Sequence, residues 1–309
     1  LVNTLYGEDE TNPNLFVALV PYVAVVNVGN NYPHWLTASG QQFLVGPTKK
    51  ANDDGYYPTV WKGCMEARSG EDDRLDTPPD VAPFTPFFYA DETDNDWIRS
   101  DGSYDIDERN AARTSATGPN IGCGPAITPL TGPKSVILDG INEMQPWFRG
   151  GTNTATGMTW GWRTISPRWR GLWQGVPAER PVDYDTPFID KVAIILTDGQ
   201  NVFSGSGPRG SDYTSYGRED DFLAASNPDP VSSATGRINN RFEEICTNMK
   251  NEGIILYGIT FGSLNTSTQN IYRRCASDPA FYFHAPTNED LQVVFETIAA
   301  QLSNLRLSQ

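Results

Sequence analysis

Two apolar runs stand out in the second half of the chain, Lys191-Val-Ala-Ile-Ile-Leu-Thr197 and Ile254-Ile-Leu-Tyr-Gly-Ile-Thr-Phe261. Short apolar stretches rich in β-branched residues and bounded by polar segments predict strands covered on both faces, as in a parallel sheet. Leu15–Val20 and Tyr22–Val28 predict two further strands, with Pro21 placing a kink or an edge between them because proline cannot donate to a ladder. A short strand is expected at Phe281–Phe283. Between these runs the period changes to helical. Residues 136, 137, 141 and 144 are apolar at helical spacing, residues 154–166 form a second helical segment that Pro167 stops, and 237–250 and 266–276 follow. A last helix is expected from Asn288, as cap, to about Leu305, with Glu289 and Asp290 suiting its dipole. Strands alternating with helices predict an α/β fold with a right-handed, mostly parallel sheet.

From Gly29 to about Ala126 periodicity is lost and Pro, Gly, Asp and aromatic residues dominate. A structureless connection of that length is expected to be an insertion or subdomain, leaving residues 1–28 and 127–309 as the α/β domain. A second polar loop spans 199–235. The opening Leu1-Val-Asn-Thr-Leu-Tyr-Gly7 reads as a helix ending at a glycine cap, so further polypeptide is expected before Leu1.

The 309 residues carry a net charge of −15, which disfavours nucleic acid as a partner and marks a solvated acidic surface. No signal peptide or membrane span is visible. Cys64, Cys123, Cys246 and Cys275 contain no C-x-x-C, and only His34 and His284 could assist, so a zinc site is not expected. An even number at long spacing suits two disulfides in an oxidising compartment, Cys64–Cys123 and Cys246–Cys275 if sequence order is respected; four buried thiols are the alternative.

The chemistry concentrates on two loops. Gly150-Gly-Thr152 precedes a helix, and Thr197-Asp198-Gly199 ends the 191–197 strand. Ligands of open α/β sheets bind outside the carboxyl ends of the strands. There the Thr152 hydroxyl and the Asp198 carboxylate are hard oxygen donors that suit Mg²⁺ or Mn²⁺ better than Ca²⁺. Trp160, Trp162, Trp169 and Trp173 interleave with Arg163, Arg168 and Arg170 and either pack the helix against the insertion or stack over a glycan. The acidic stretch Asp91–Glu108 departs from the calcium-loop template at Ile106 and Ala112. No nucleophile elbow, zincin or phosphate-loop motif occurs, and adjacent Glu243 and Glu244 diverge on a helix. The chain is therefore not expected to be an enzyme.

Gly-Gly-Thr followed by Leu196-Thr-Asp-Gly199, in this order, resembles the von Willebrand factor A domain and its metal-ion-dependent adhesion site. Longer matches resemble TadG-type proteins of the bacterial tight-adherence (Flp) pilus system: Trp61-Lys-Gly-Cys64, Thr159-Trp-Gly-Trp-Arg-Thr-Ile-Ser-Pro167, Leu196-Thr-Asp-Gly-Gln-Asn201, Arg274-Cys-Ala-Ser277 and Leu302-Ser-Asn-Leu-Arg-Leu307. The resemblance covers nearly the whole chain. It implies an extracytoplasmic bacterial protein for adhesion or pilus assembly and anchoring, with Thr152 and Asp198 as metal ligands and protein or cell-surface ligands as partners. The family's third site element, D-x-S-x-S on the central first strand, is absent from these residues. Its absence implies that this strand and a membrane-spanning segment lie upstream of Leu1, that another chain fills the slot, or that the sheet is rearranged. A scaffold with a vestigial site is the second reading, and a secreted hydrolase the third.

Overall fold

The computed structural model describes residues 1–44, 61–108, 116–147, 149–205, 211–225 and 231–305. Ala112, Arg306 and Leu307, and parts of the 29–126 and 199–235 stretches, lie outside them. In chain order the elements are α1 (Val2–Tyr6), β1 (Val17–Leu19), β2 (Val26–Asn27), α2 (Ala38–Gln41), β3 (Cys64–Met65), β4 (Thr128–Thr131), α3 (Lys134–Asn142), β5 (Gly151–Thr152) and α4 (Thr154–Ile165). They continue with β6 (Val192–Thr197), β7 (Val202–Phe203), α5 (Glu219–Ala225), α6 (Ala234–Asn251), β8 (Ile255–Phe261), α7 (Thr266–Cys275), β9 (Tyr282–Ala285) and α8 (Asn288–Leu305).

The fold is α/β. Strands β6, β8 and β9 form a parallel sheet in that order, with Val192 level with Ile255 and Gly258 level with Tyr282. Successive side chains of a strand point to opposite faces, and here both faces are apolar. Ala193, Ile195 and Leu256 pack with Phe242, Ile245 and Met249 of α6 and Tyr272 of α7. Val192, Ile194, Leu196, Tyr257 and Ile259 pack with Val294 and Ile298 of α8 and with Leu1. This two-sided cover explains why both strands read as unbroken apolar runs. The Cys246–Cys275 disulfide joins α6 to α7 on the first face.

A second pair, β1 and β4, is antiparallel and separate from the parallel sheet. Among the described residues β6 has a ladder partner only on its β8 side, and β1 only on its β4 side. Helix α4 packs across both, and the Tyr22 hydroxyl, just beyond β1, donates to the Leu196 carbonyl of β6 at 2.7 Å.

Several expectations need correction. β4 reads as loop in the sequence because Thr-Pro-Leu-Thr is four residues long and contains Pro129; its partner β1 absorbs the irregularity in a shifted register. The helix expected over 134–144 stops at Asn142, and of its apolar positions only Ile137 is buried, while Val136 and Met144 are each 43 % exposed. The β1–β4 pair covers a narrower stripe than the pattern suggested. Gly140 approaches that pair closely, because a Cβ there would meet Thr128 and Leu19. The 199–235 loop contains β7 and α5. Thr287 rather than Asn288 caps α8, its Oγ1 accepting from Asp290 N–H (3.2 Å) while the Asp290 carboxylate accepts from Thr287 N–H (3.1 Å). The Tyr22–Val28 run forms only the two-residue β2, which pairs with β3 of the 29–126 stretch.

That stretch contains little regular structure yet has a core. Trp35, Trp61, Phe84, Trp160, Trp169 and Trp173 form one cluster that also takes in Val26 and Met65. Phe87, Tyr89, Ile121 and the bonded pair Cys64–Cys123 form another with Val25. No helix among the described residues is long and apolar enough to cross a membrane.

Candidate functional site

The two candidate ligands come from loops that the fold holds together. Gly150 and Gly151 adopt φ of 92° and 91°, a left-handed conformation open to glycine, and a Cβ on either would clash, with Ala24 and with Val202 respectively. Thr152 then enters the β5–β7 pair, opposite Val202. Asn153 caps α4, its Oδ1 accepting from Thr156 N–H at 3.2 Å while its own N–H donates to the Val23 carbonyl at 2.9 Å. On the other side, the Thr197 hydroxyl donates to the Gly199 carbonyl at 2.7 Å and folds the turn at the carboxyl end of β6. Asn201 ties turn to helix: its Oδ1 accepts from Thr154 N–H (2.8 Å) and hydroxyl (2.9 Å), and its Nδ2 donates to Asn239 Oδ1 at 2.8 Å. As a result Thr152 Oγ1 lies 3.8 Å from where a Cβ on Gly199 would stand. Asp198, the residue before Gly199, is exposed.

Beneath this turn sit two phenols. Burial pushes the Tyr22 hydroxyl well above its ordinary pKa, with Tyr272 the next cause. Tyr272 is pushed up to about 12, again by burial first. Its hydroxyl is buried beside Thr154, Thr197 and Tyr22 without completing a hydrogen bond to any of them. The floor of the site thus carries an unspent donor in a setting where such groups are normally paired.

Thr152 Oγ1 and the Asp198 carboxylate have no hydrogen bond or ion pair among the described residues, which leaves both oxygens available. A hard cation such as Mg²⁺ takes about six oxygens, so the two fit part of its shell. No cluster of three or more His, Cys, Asp or Glu that could hold a metal occurs among the described residues. Thr152 and Asp198 would give such a cation two oxygens, and the rest of its shell would have to come from water or from oxygens elsewhere.

Comparison with known proteins adds little. No family profile and no curated protein sequence matches the chain. Solved structures of proximal thread matrix protein 1 from the mussel byssus are 17% identical over 55% of this chain, with TM-scores of 0.30 and, for a form with a zinc-occupied MIDAS motif, 0.34. Similarity that slight carries no argument about this chain. The match spans 29–31% of the length of those proteins.

The other candidate residues are otherwise engaged. Trp160, Trp169 and Trp173 are buried against Trp35 and Phe84 of the 29–126 stretch, with Trp169 stacked on Trp173 at 5.8 Å and edge-on to Trp35 at 5.2 Å, while Trp162 is buried in the core shared with α6, so none of the four offers a face to a glycan. Arg163 is buried among them, its Nη2 donating to the carbonyls of Asp72 (2.9 Å) and Leu75 (3.2 Å), while Arg170 pairs with Asp183 at 2.6 Å and Arg168 faces Asp76 at 3.6 Å. The acidic stretch folds on itself: Asp91 accepts from Trp97 and Ile98 N–H, Asp101 from Ser103, and Asp105 pairs with Arg99. Glu243 and Glu244 point apart, to Arg274 and Arg74. His34 lies against Tyr32 and Trp35, and His284 Nδ1 is 3.1 Å from the Thr260 hydroxyl. Sequence reasoning missed Asn201, although it sits in the Thr-Asp-Gly-Gln-Asn run, and missed Arg149 and Asp212, which anchor the Gly150 loop.

Proposed function

We propose that the chain is an extracytoplasmic binding domain of the von Willebrand A type, in which Thr152 and Asp198 contribute two ligands to a divalent cation that engages an acidic oxygen of a protein or surface partner. The observation that carries this reading is the juxtaposition of the Thr152 loop with the Asp198–Gly199 turn at the carboxyl end of a parallel strand, both oxygens uncommitted. An adhesion or assembly role in a tight-adherence pilus is the specific form that the TadG-like motifs favour. When bound, the cation would act as the last link to the ligand; Thr152 and Asp198 would hold it, and Asn201 would hold the two loops in register. Two disulfides fit an oxidising compartment. Binding rather than catalysis is the reading taken, since the two histidines and the paired glutamates are committed to packing and ion pairs.

Adhesion of the purified protein to its native surface, measured with Mg²⁺ and with EDTA, tests this. Asp198→Ala is expected to abolish the Mg²⁺-dependent component while leaving the melting temperature within about 1 °C, because an exposed, unpaired carboxylate contributes little to stability. Adhesion that survives both the substitution and EDTA sinks the cation reading.

A second reading is favoured by the divided sheet. Among the described residues β6 and β1 each lack a ladder partner on one side, both beside α4, and this reading takes those edges as ones a further strand would pair with by β-augmentation, supplied by another part of the polypeptide or by a partner. The protein would then be a scaffold of a surface assembly. Such a strand would also end beside Thr152 and Asp198, where the missing cation ligands belong.

A further inference from the structure

We propose that the 29–126 stretch sets the position of the Thr152 loop through Tyr89, Arg149 and Asp212, which act as positioning residues for the site at Thr152 and Asp198. The inference rests on that site being used for binding. Its structural basis is a buried ionic chain that nothing in the site itself demands.

Asp212 is at the centre. Its Oδ2 accepts from the Gly150 N–H at 3.1 Å, and its Oδ1 accepts from Arg149 Nε at 3.0 Å. Both donors belong to the residues that lead directly into Gly151 and Thr152. Asp212 is in turn fixed by its own N–H, which donates to the Ser204 carbonyl just beyond β7 at 2.6 Å, so the same residue braces both partners of the β5–β7 pair. From the other side the insertion delivers Tyr89, whose hydroxyl lies within donating distance of Asp212 Oδ1 (2.9 Å) and Asp94 Oδ2 (2.8 Å) and accepts from Arg149 Nη2. Arg149 completes its fork on the Asp94 carbonyl (3.0 Å) and carboxylate (2.9 Å). The fully buried Arg218 pairs with Glu92 at 2.6 Å and approaches Asp94 at 3.4 Å, which locks the insertion's 92–94 turn to the segment after Asp212.

Tyr89, Arg149, Asp212 and Arg218 are all buried. Burial, followed by the Asp212 charge, raises the Tyr89 phenol well above its usual pKa and keeps it a donor. Removing charges from water costs more than such pairs usually return, and their best-attested use is to select one arrangement over others. The arrangement selected here is that of a glycine pair with positive φ, a segment with few conformational restraints of its own. Partners hydrogen-bonded to a metal ligand itself typically change metal affinity by about 10–100-fold when removed; here the contact is made at Gly150, two residues before Thr152, so the low end of that range is expected.

The test uses the full chain with Mn²⁺ as the probe. Mn²⁺ affinity, hydrogen exchange of a peptide spanning 149–153, and melting temperature are measured for the wild type, Asp212→Asn, Tyr89→Phe and the control Arg99→Ala, whose ion pair with Asp105 lies elsewhere on the insertion. Asp212→Asn is expected to weaken Mn²⁺ about tenfold and speed exchange at Gly150; Tyr89→Phe should do the same about threefold, and Arg99→Ala neither. If Asp212→Asn fails to fold, Tyr89→Phe, which keeps the ring and loses one oxygen, decides the matter. Unchanged exchange at 149–153 and unchanged affinity in the folded variants overturn the proposal. A wild type that binds no Mn²⁺ while exchange at Gly150 still responds to Tyr89→Phe refutes the cation reading and leaves the positioning role supported.

Discussion

Replacing Glu66 by glutamine is expected to stabilise the protein at pH 8 and to change nothing at pH 4. Glu66 follows β3 in the 29–126 stretch, with its N–H on the Thr85 carbonyl at 3.0 Å and no ion pair among the described residues. Burial pushes its carboxyl up to about 7. The folded state therefore holds a proton that the unfolded chain releases near the ordinary glutamate value. Below pH ~4.5 the side chain is protonated in both states and costs nothing. As pH rises from ~4.5 towards 7 stability falls, and above 7 the full cost of a buried charge is present. Allowing for its partial accessibility, that cost is about 1–2 kcal/mol, or roughly 2–4 °C in melting temperature for a chain of this size. Melting curves of wild type and Glu66→Gln at pH 4, 6 and 8 check the sign: the two should coincide at pH 4 and separate progressively. A constant difference across the range would mean that burial of the charge is not the cause.

Trp169→Ala should be the most damaging single change outside the parallel sheet. The ring is fully buried against Trp35, Trp160 and Trp173, and its Nε1–H donates to the Asp76 carbonyl at 2.7 Å. That carbonyl belongs to the residue whose carboxylate accepts from Ser166 and from Tyr184 (2.7 Å). Truncation removes a large apolar surface, several aromatic contacts and a buried donor together, for about 3–5 kcal/mol. The loss should fall mainly on the packing of the insertion on α4, since the parallel sheet has its own core. Differential scanning calorimetry and proteolysis would then show early release of the 29–126 stretch, with β6 and β8 still protected. A melting temperature within 1–2 °C of wild type would instead mean that the cluster is loosely packed and reopen a surface role for these rings.

The difference between what could be read in the sequence and what could not follows from range. β6 and β8 are legible because a strand buried on both faces must be apolar at every position, and α6, α7 and α8 because a helix covering one face must repeat its apolar residues near every fourth position. Asp198 could be placed beforehand because it follows the carboxyl end of a parallel strand, and Thr152 was paired with it by the order of the Gly-Gly-Thr and Thr-Asp-Gly motifs; that Thr152 itself lies in a short antiparallel pair was not legible. β1 was expected within Leu15–Val20, but its partner β4 was hidden by Pro129 and by its length of four residues. The aromatic cluster that joins the 29–126 stretch to α4 was hidden for another reason: Trp35, Phe84 and Trp169 meet without any shared period. The ionic chain at the site loop has no local signature whatever. Arg149 and Asp212 are 63 residues apart, and Tyr89 and Asp212 are 123 apart, so only the folded chain reveals that the insertion reaches the Thr152 loop.

The central claim, that Thr152 and Asp198 hold a divalent cation, is tested most directly by an anomalous difference map from crystals of the full polypeptide grown with Mn²⁺. A peak is expected about 2.2 Å from Thr152 Oγ1, with the Asp198 carboxylate bound directly or through one water, and it should be lost in Asp198→Ala. A map with no peak at that turn, or with Mn²⁺ held by residues that include neither side chain, would contradict it.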